Sequence, residues 1–184
     1  MPDLSPLCAL GAATPRRVTH GALTLTETPE CGLASLALRR DTPPPALDLP
    51  GPGRWQAADG LTLIWTGPGQ WLVELPGAAE TDVAATLVKK VPGASITEQT
   101  DGWVLIEIAS SAGAAPIERF LERAANIDQA RFGPGSATRS PIEHLGTYVL
   151  RRAEDRLGIW GMRSAAESLW HALDTIAGRL DSRG

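Results

Sequence analysis

Residues 103–124 read WVLIEIASSAGAAPIERFLERA, and they decide the class of fold. Trp103 to Ile108 is a near-continuous apolar run, the pattern of a strand buried on both faces. A short Ser-Ala-Gly turn follows. From Pro116 the apolar period changes from two to about 3.6, setting Ile117, Phe120, Leu121 and Ala124 on one helical face, with the proline tolerated in the first turn. A strand therefore runs into an amphipathic helix within 22 residues.

The same step recurs on either side. Downstream, Thr138 to Arg151 and Leu157 to Trp160 read as two strands around a polar turn at Glu154 and Asp155. A helix follows, marked by the capping-box spacing Ser164-Ala-Ala-Glu167 and the stripe Leu169, Leu173, Ile176, Leu180. Upstream, Leu61 to Trp65 and Trp71 to Leu75 are short strands joined by TGPGQ. The segment AETDVAATLVKKV then places Val83, Leu87 and Val91 on one face before Pro92 and Gly93 stop it. Three tryptophan-bearing strands (Trp71, Trp103, Trp160) thus lead into three helices, at spacings too unequal for a solenoid.

Towards the amino end, DTPPPALDLPGPG (41–53) cannot be helix or central strand. It reads as a surface loop or an extended segment lying across a neighbour. Leu23 to Thr26 and Leu33 to Arg39 flank a turn at Pro29 to Gly32 as a strand-turn-strand, and residues 1–20 read as an irregular arm. The expectation is an α+β chain of two small split-βαβ-like subdomains packed together: 21–95, carrying the Pro-rich loop 41–53, and 96–184.

The 184 residues are 43% apolar, enough for a real core, and carry a formal net charge of −4 with both signs interspersed. That distribution argues against nucleic acid or an anionic membrane as the main partner. No stretch has the apolar length of a membrane-spanning helix. The opening MPDLSPLCALGAATP lacks a charged-then-apolar leader pattern, so a cytoplasmic location is expected. Six tryptophans against two phenylalanines and one tyrosine suit buried anchors, some of them available to a protein interface.

Catalytic signals are sparse. Cys8 and Cys31 lie far apart, without metal-ligand spacing, and read as reduced thiols. His20, His144 and His171 have no histidine or cysteine at ligand spacing; His171 falls near the exposed side of the last helix, and His144 could be held by a strand beside Glu143 or Arg139. The three GPG tripeptides are turns, because proline removes a donor from any would-be anion cradle. There is no nucleophile elbow and no dinucleotide fingerprint. Among the carboxylates Glu98, Asp101, Glu107 and Asp128 nothing in the spacing makes a pair, although Glu107, inside an apolar strand, invites an ion pair or a partner.

Several unrelated motifs carry a family likeness. TEQTDGW (97–103), Asn126-Ile127-Asp128, PGSATR (134–139), IEHLG (142–146) and GMRSAAESLWHAL (161–173) resemble the gamma subunit of heterotetrameric sarcosine oxidases. SPLCALG (5–11), LPGPGRW (49–55) and GPGQWLVELP (67–76) resemble the same family in order and spacing. More distantly, residues 120–152 look like a segment of the folate-binding domain of the glycine-cleavage T-protein family. That family usually carries an acidic run after its glycine, where this chain has Gly146-Thr147-Tyr148-Val149-Leu150-Arg151-Arg152.

The resemblance implies a T-protein-type fold that has lost its own chemistry: no catalytic, cofactor or metal residues on this chain, which would serve assembly and stability. It implies alpha, beta and delta partner subunits that hold NAD, tetrahydrofolate, FAD, FMN and zinc between them. Such a complex oxidises sarcosine to glycine, passes the methyl carbon to tetrahydrofolate or releases it as formaldehyde, and forms hydrogen peroxide. Two alternatives remain open, the corresponding subunit of an N-methyl amino acid dehydrogenase such as N-methylglutamate dehydrogenase, and a solitary folate-binding aminomethyltransferase-like protein. A stable complex buries about 800 Å² per side. Tryptophan and arginine are the usual anchors, which makes Arg54, Trp55, Arg151 and Arg152 the interface candidates. Equally, Trp55 is a local loop anchor and the arginines are solvated.

Overall fold

The computed structural model describes residues 6–40, 42–43 and 45–182. The strands are β1 (Arg17–His20), β2 (Leu23–Glu27), β3 (Gly32–Ala37), β4 (Trp55–Ala58), β5 (Leu61–Gly67), β6 (Gln70–Leu75), β7 (Ser95–Glu98), β8 (Trp103–Ser110), β9 (Ala137–Ile142), β10 (Leu145–Ala153) and β11 (Arg156–Met162). The helices are α1 (Val83–Lys90), α2 (Ala114–Ala124) and α3 (Ala166–Asp181). Each helix follows a tryptophan-bearing strand, β6, β8 and β11, as the sequence leads one to expect.

The strands form two antiparallel sheets, one of six in the order β1-β2-β8-β11-β10-β9 and one of five in the order β4-β5-β6-β3-β7. The sheets stack face to face. Helices α2 and α3 back the larger one, and α1 with the Pro-rich loop backs the smaller. This is an α+β fold of two sheet-containing subdomains packed together, consistent with the split-βαβ, T-protein-type expectation.

Strand β8 explains the stacking. Val104, Ile106 and Ile108 join the core under α2 and α3, while Leu105 and the half-buried Trp103 face the other sheet. Both faces are covered, which is why the run is apolar throughout. On the helix side Ile117, Phe120 and Leu121 of α2 meet Leu169, Leu173 and Ile176 of α3. On the far side Val83 and Leu87 of α1 pack with Leu36, Leu63 and Val73, and Leu47 of the Pro-rich loop closes that core. The loop is pinned where the Trp71 indole donates to the Pro50 carbonyl at 2.9 Å.

Four expectations are corrected. First, Leu23–Glu27 and Gly32–Ala37 are strands but not a hairpin, because they belong to different sheets. β2 pairs with β8 and β3 with β6 and β7, and Gly32 lets β3 approach α1 closely, since a Cβ there would lie 2.6 Å from the Val83 side chain and 2.8 Å from the Ala78 carbonyl. Second, Arg17–His20 is a paired strand rather than part of an irregular arm. With β2 it joins the six-stranded sheet, and β7 joins the other, so the sheets do not divide the chain at residue 95.

Third, residues 138–151 are a hairpin rather than one strand, turning at Glu143-His144 with Glu143 at φ 54°. The turn holds no glycine or asparagine to announce it, and Pro141 is accommodated because β9 is an edge strand. Fourth, Ser164 makes no capping box. It lies inside a 3₁₀ turn, Arg163–Ala165, that runs straight into α3, whereas a cap residue needs an extended backbone to reach over the first turn. Glu167 pairs instead with Arg16 Nη1 at 2.9 Å.

Candidate functional site

Between the sheets lies a small apolar layer, Leu33, Ile64 and Leu72 from one side and Leu105, Leu150 and Trp160 from the other, and it contains a charged cluster. Glu74 of β6 shares its face with Leu72 by alternation, and it is 1% exposed. A carboxylate so placed is costly unless it is paired and hydrogen-bonded. Arg152 of β10 meets it with two parallel bonds, Nη1 to Oε2 at 3.0 Å and Nη2 to Oε1 at 2.8 Å, and the Trp160 indole donates to the same Oε1.

Burial alone would lower the Arg152 guanidinium. The charge and hydrogen bonds of Glu74, with Glu107 beyond, outweigh it and raise the group above arginine's ordinary value. Glu107 Oε1 lies 3.3 Å from Arg152 Nε, within ion-pair distance but without hydrogen-bond alignment, so Nε has no hydrogen-bond partner. Gly158 makes the room: a Cβ there would sit 2.6 Å from Arg152 Nε.

Two of the four sequence-named interface candidates, Trp55 and Arg152, meet at this junction. Arg152 lies over the Trp55 ring at 5.8 Å from its centroid, and the Trp55 indole donates to the Arg151 carbonyl at 2.9 Å. Arg151, on the opposite face of β10, is 2% exposed and donates to the Glu154 carbonyl at 2.5 Å. The Trp55 and Arg152 side chains tie this chain's own sheets together, while the Arg151 side chain stays within the β10–β11 hairpin. Arg54 alone is exposed, with its backbone bridged to Ser136. The stretch that stands where the T-protein likeness would have an acidic run is thus structural: Thr147, Val149 and Arg151 point to the helices, Tyr148, Leu150 and Arg152 to the other sheet.

Sequence reasoning did not single out Glu74. Its signal is a charge at an inward position of an otherwise apolar strand, WLVEL. Glu27 carries the same signal at the end of LTLTE. It is 1% exposed and accepts the backbone N–H groups of Leu10 at 3.0 Å and Arg16 at 3.1 Å, which fastens the amino-terminal segment to β2.

That segment forms one wall of a cleft of about 750 Å³. The other walls are the corner 28–31, the 77–81 loop and the turn 98–103, and Trp160 links the cleft to the Glu74 cluster. Glu98 sits in the wall. Burial pushes its carboxyl up, but hydrogen bonds from the Thr100 hydroxyl and the N–H groups of Ala84, Thr100 and Gln99 hold it below its ordinary value.

Cys8 and Cys31 also line the cleft, both as free thiols. Burial, then the charge of Glu74, pushes the Cys31 thiol up to about 12, and burial followed by Glu27 raises Cys8. Neither forms the thiolate a nucleophile needs near neutral pH. His144 is exposed in its turn, His171 is exposed on α3, and His20 holds Asp174 of α3 at 2.7 Å between Nε2 and Oδ1. Among the described residues no group of three or more His, Cys, Asp or Glu is placed to hold a metal, and no helix is long and apolar enough to cross a membrane.

No family model and no curated protein matches the sequence. Solved structures do match the fold. A chain of the heterotetrameric sarcosine oxidase from Corynebacterium sp. U-96, solved with pyrrole 2-carboxylate, superposes with a TM-score of 0.69 at 16% identity, over 89% of this chain and 88% of that one. The glycine cleavage system aminomethyltransferase T from Bartonella henselae gives a TM-score of 0.60 at 14% identity, over 88% of this chain but 50% of that one. This chain therefore spans about half of the aminomethyltransferase and nearly all of the oxidase chain. At these identities the likeness establishes a shared fold.

Proposed function

We propose that this chain is the gamma-type subunit of a heterotetrameric sarcosine oxidase, a structural partner of flavin-bearing chains. It would act in the cytoplasm. Alpha, beta and delta partners would supply the FAD, FMN, NAD, tetrahydrofolate and zinc sites. The observation that carries the proposal is the near end-to-end fold match, in both directions, with a chain of such an oxidase. Two further points support it. The motifs from SPLCALG to GMRSAAESLWHAL resemble that subunit in order. The β10 positions where the aminomethyltransferase likeness would place carboxylates are spent on core and on the Glu74 ion pair.

Physically, the subunit contributes by covering apolar surface on its partners and limiting how they move. Its own sheets are cross-linked by a buried ion pair, so it presents a stiff surface that loses little entropy on docking. The test is recovery of the tagged chain from its native host. The expected result is three further chains, a flavin absorption spectrum and sarcosine-dependent peroxide. Oxidation of N-methylglutamate rather than sarcosine would move the chain to the related dehydrogenases. A colourless single chain that binds tetrahydrofolate would replace the proposal with a solitary folate-binding protein, the alternative that the aminomethyltransferase fold match favours.

A further inference from the structure

The outer surfaces of the molecule differ in kind. Along α2 the exposed charged residues are Glu118, Arg119, Glu122 and Arg123, alternating in sign as a solvated face does. The cleft is different on two independent counts. Among the described residues the large apolar side chains with high exposure are Leu7 at 54%, Val88 at 51% and Met162 at 48%, and the first of these belongs to the cleft. Leu7 lines it, held there where Arg163 Nη2 donates to the Leu7 carbonyl at 3.0 Å. Met162 stands opposite Trp103 in the β8–β11 register, and the half-buried Trp103 lines the cleft as well.

The second count is charge. Glu27 and Glu98 are already engaged by backbone N–H groups, but Glu30, Glu80 and Asp101 are exposed and enter no ion pair among the described residues. Against these five carboxylates the only cation in the walls, among the described residues, is Arg163. A concave site lined by one sign of charge, with apolar walls, concentrates the opposite charge.

We propose that this cleft receives an extended segment of a partner chain that carries lysine together with apolar side chains. The apolar groups would cover Leu7 and Trp103, and the cations would face Glu30, Glu80 and Asp101. This rests on the subunit function proposed above and assigns its docking face to the cleft rather than to the helix-covered back. A polypeptide fits better than a lone cation, because the walls offer apolar area and a volume of about 750 Å³, and no three-donor metal set is present among the described residues.

The test compares two double charge reversals in the tagged chain within its native host. E80K/D101K changes the cleft, and E118K/E122K makes the same change of charge on α2. The cleft variant is expected to recover about tenfold less of the partner chains, and the α2 variant as much as the unaltered protein. Both should unfold at the unaltered midpoint, since all four side chains are exposed. If E80K/D101K fails to fold, carbodiimide coupling in the unaltered complex decides: Glu30, Glu80 or Asp101 should be joined to lysines of one partner chain. An intact complex with E80K/D101K, or an unaltered complex lacking those couplings, overturns the inference and leaves the subunit function standing. Absence of partner chains from the unaltered preparation overturns both.

Discussion

The two faces of the six-stranded sheet are stabilised differently. Towards α2 and α3 it meets a broad layer of leucine, isoleucine, valine, phenylalanine and tryptophan, in which Ile117, Phe120, Leu173 and Ala177 are fully buried. Towards the five-stranded sheet the apolar layer is small, and it encloses the Glu74–Arg152 pair, the Trp160 indole and the half-buried Trp55 ring. A broad apolar layer gains its stability from buried area, about 25 cal/mol per Å², and tolerates repacking. A small layer that contains charges fixes one geometry, because a misplaced partner leaves an ion buried alone. The helix side therefore supplies most of the stability, and the sheet-to-sheet side sets how the two subdomains meet.

The largest effect should come from removing one member of the buried pair. Glu74→Ala leaves the Arg152 guanidinium between the sheets with only the half-buried Glu107 beside it and is expected to cost about 3–5 kcal/mol in a urea titration. The double variant Glu74→Leu with Arg152→Met should recover most of that loss, since a buried pair replaced by apolar groups is often neutral. A double variant as weak as the single one would show that packing, not charge, governs this layer. A smaller effect, about 1–3 kcal/mol, is expected for Gly158→Ala, whose new methyl must displace a guanidinium that Glu74 holds in place. Combined with Arg152→Met it should cost clearly less; equal costs in both backgrounds would remove Arg152 from the explanation.

The contrast also marks what the sequence alone makes legible. The helix-backed layer was open to view: the 3.6-residue stripes of α2 and α3 and the doubly buried run in β8 name most of its members. The sheet-to-sheet layer was not. Periodicity says which face of a strand is buried but not which sheet covers it, so Leu23–Glu27 and Gly32–Ala37 look like neighbours while joining different sheets. Arg151 and Arg152 look like a basic surface pair. Strand alternation sends one to each face, and the partner of Arg152 lies 78 positions away. Glu107 is the exception, since a lone charge in an apolar strand announces an ion pair, and Arg152 stands 3.3 Å from it. Of the cleft, Glu98 and Asp101 were noticed as unpaired carboxylates. Its walls come from five separated segments, which no local pattern assembles.

The smallest effect concerns the cleft wall. Glu98 is held below its ordinary value, so it contributes stability that is present at neutral pH and is lost as pH falls through its lowered folded value. The difference in urea midpoint between the unaltered protein and Glu98→Gln should therefore be present at pH 7 and fade in acid, below the usual glutamate value of about 4.3. A difference that persists unchanged into strong acid would assign the effect to packing around Thr100 instead.

Function rests on whether the stiff, cross-braced body serves an assembly. The most direct measurement is to express the partner chains of the proposed sarcosine oxidase with and without this chain and to compare assembled mass, thermal midpoint and sarcosine-dependent peroxide. The expected result is that omission leaves the partners dispersed or markedly less stable, and that adding the purified chain restores the complex. A three-chain complex of unchanged stability and activity would contradict the account.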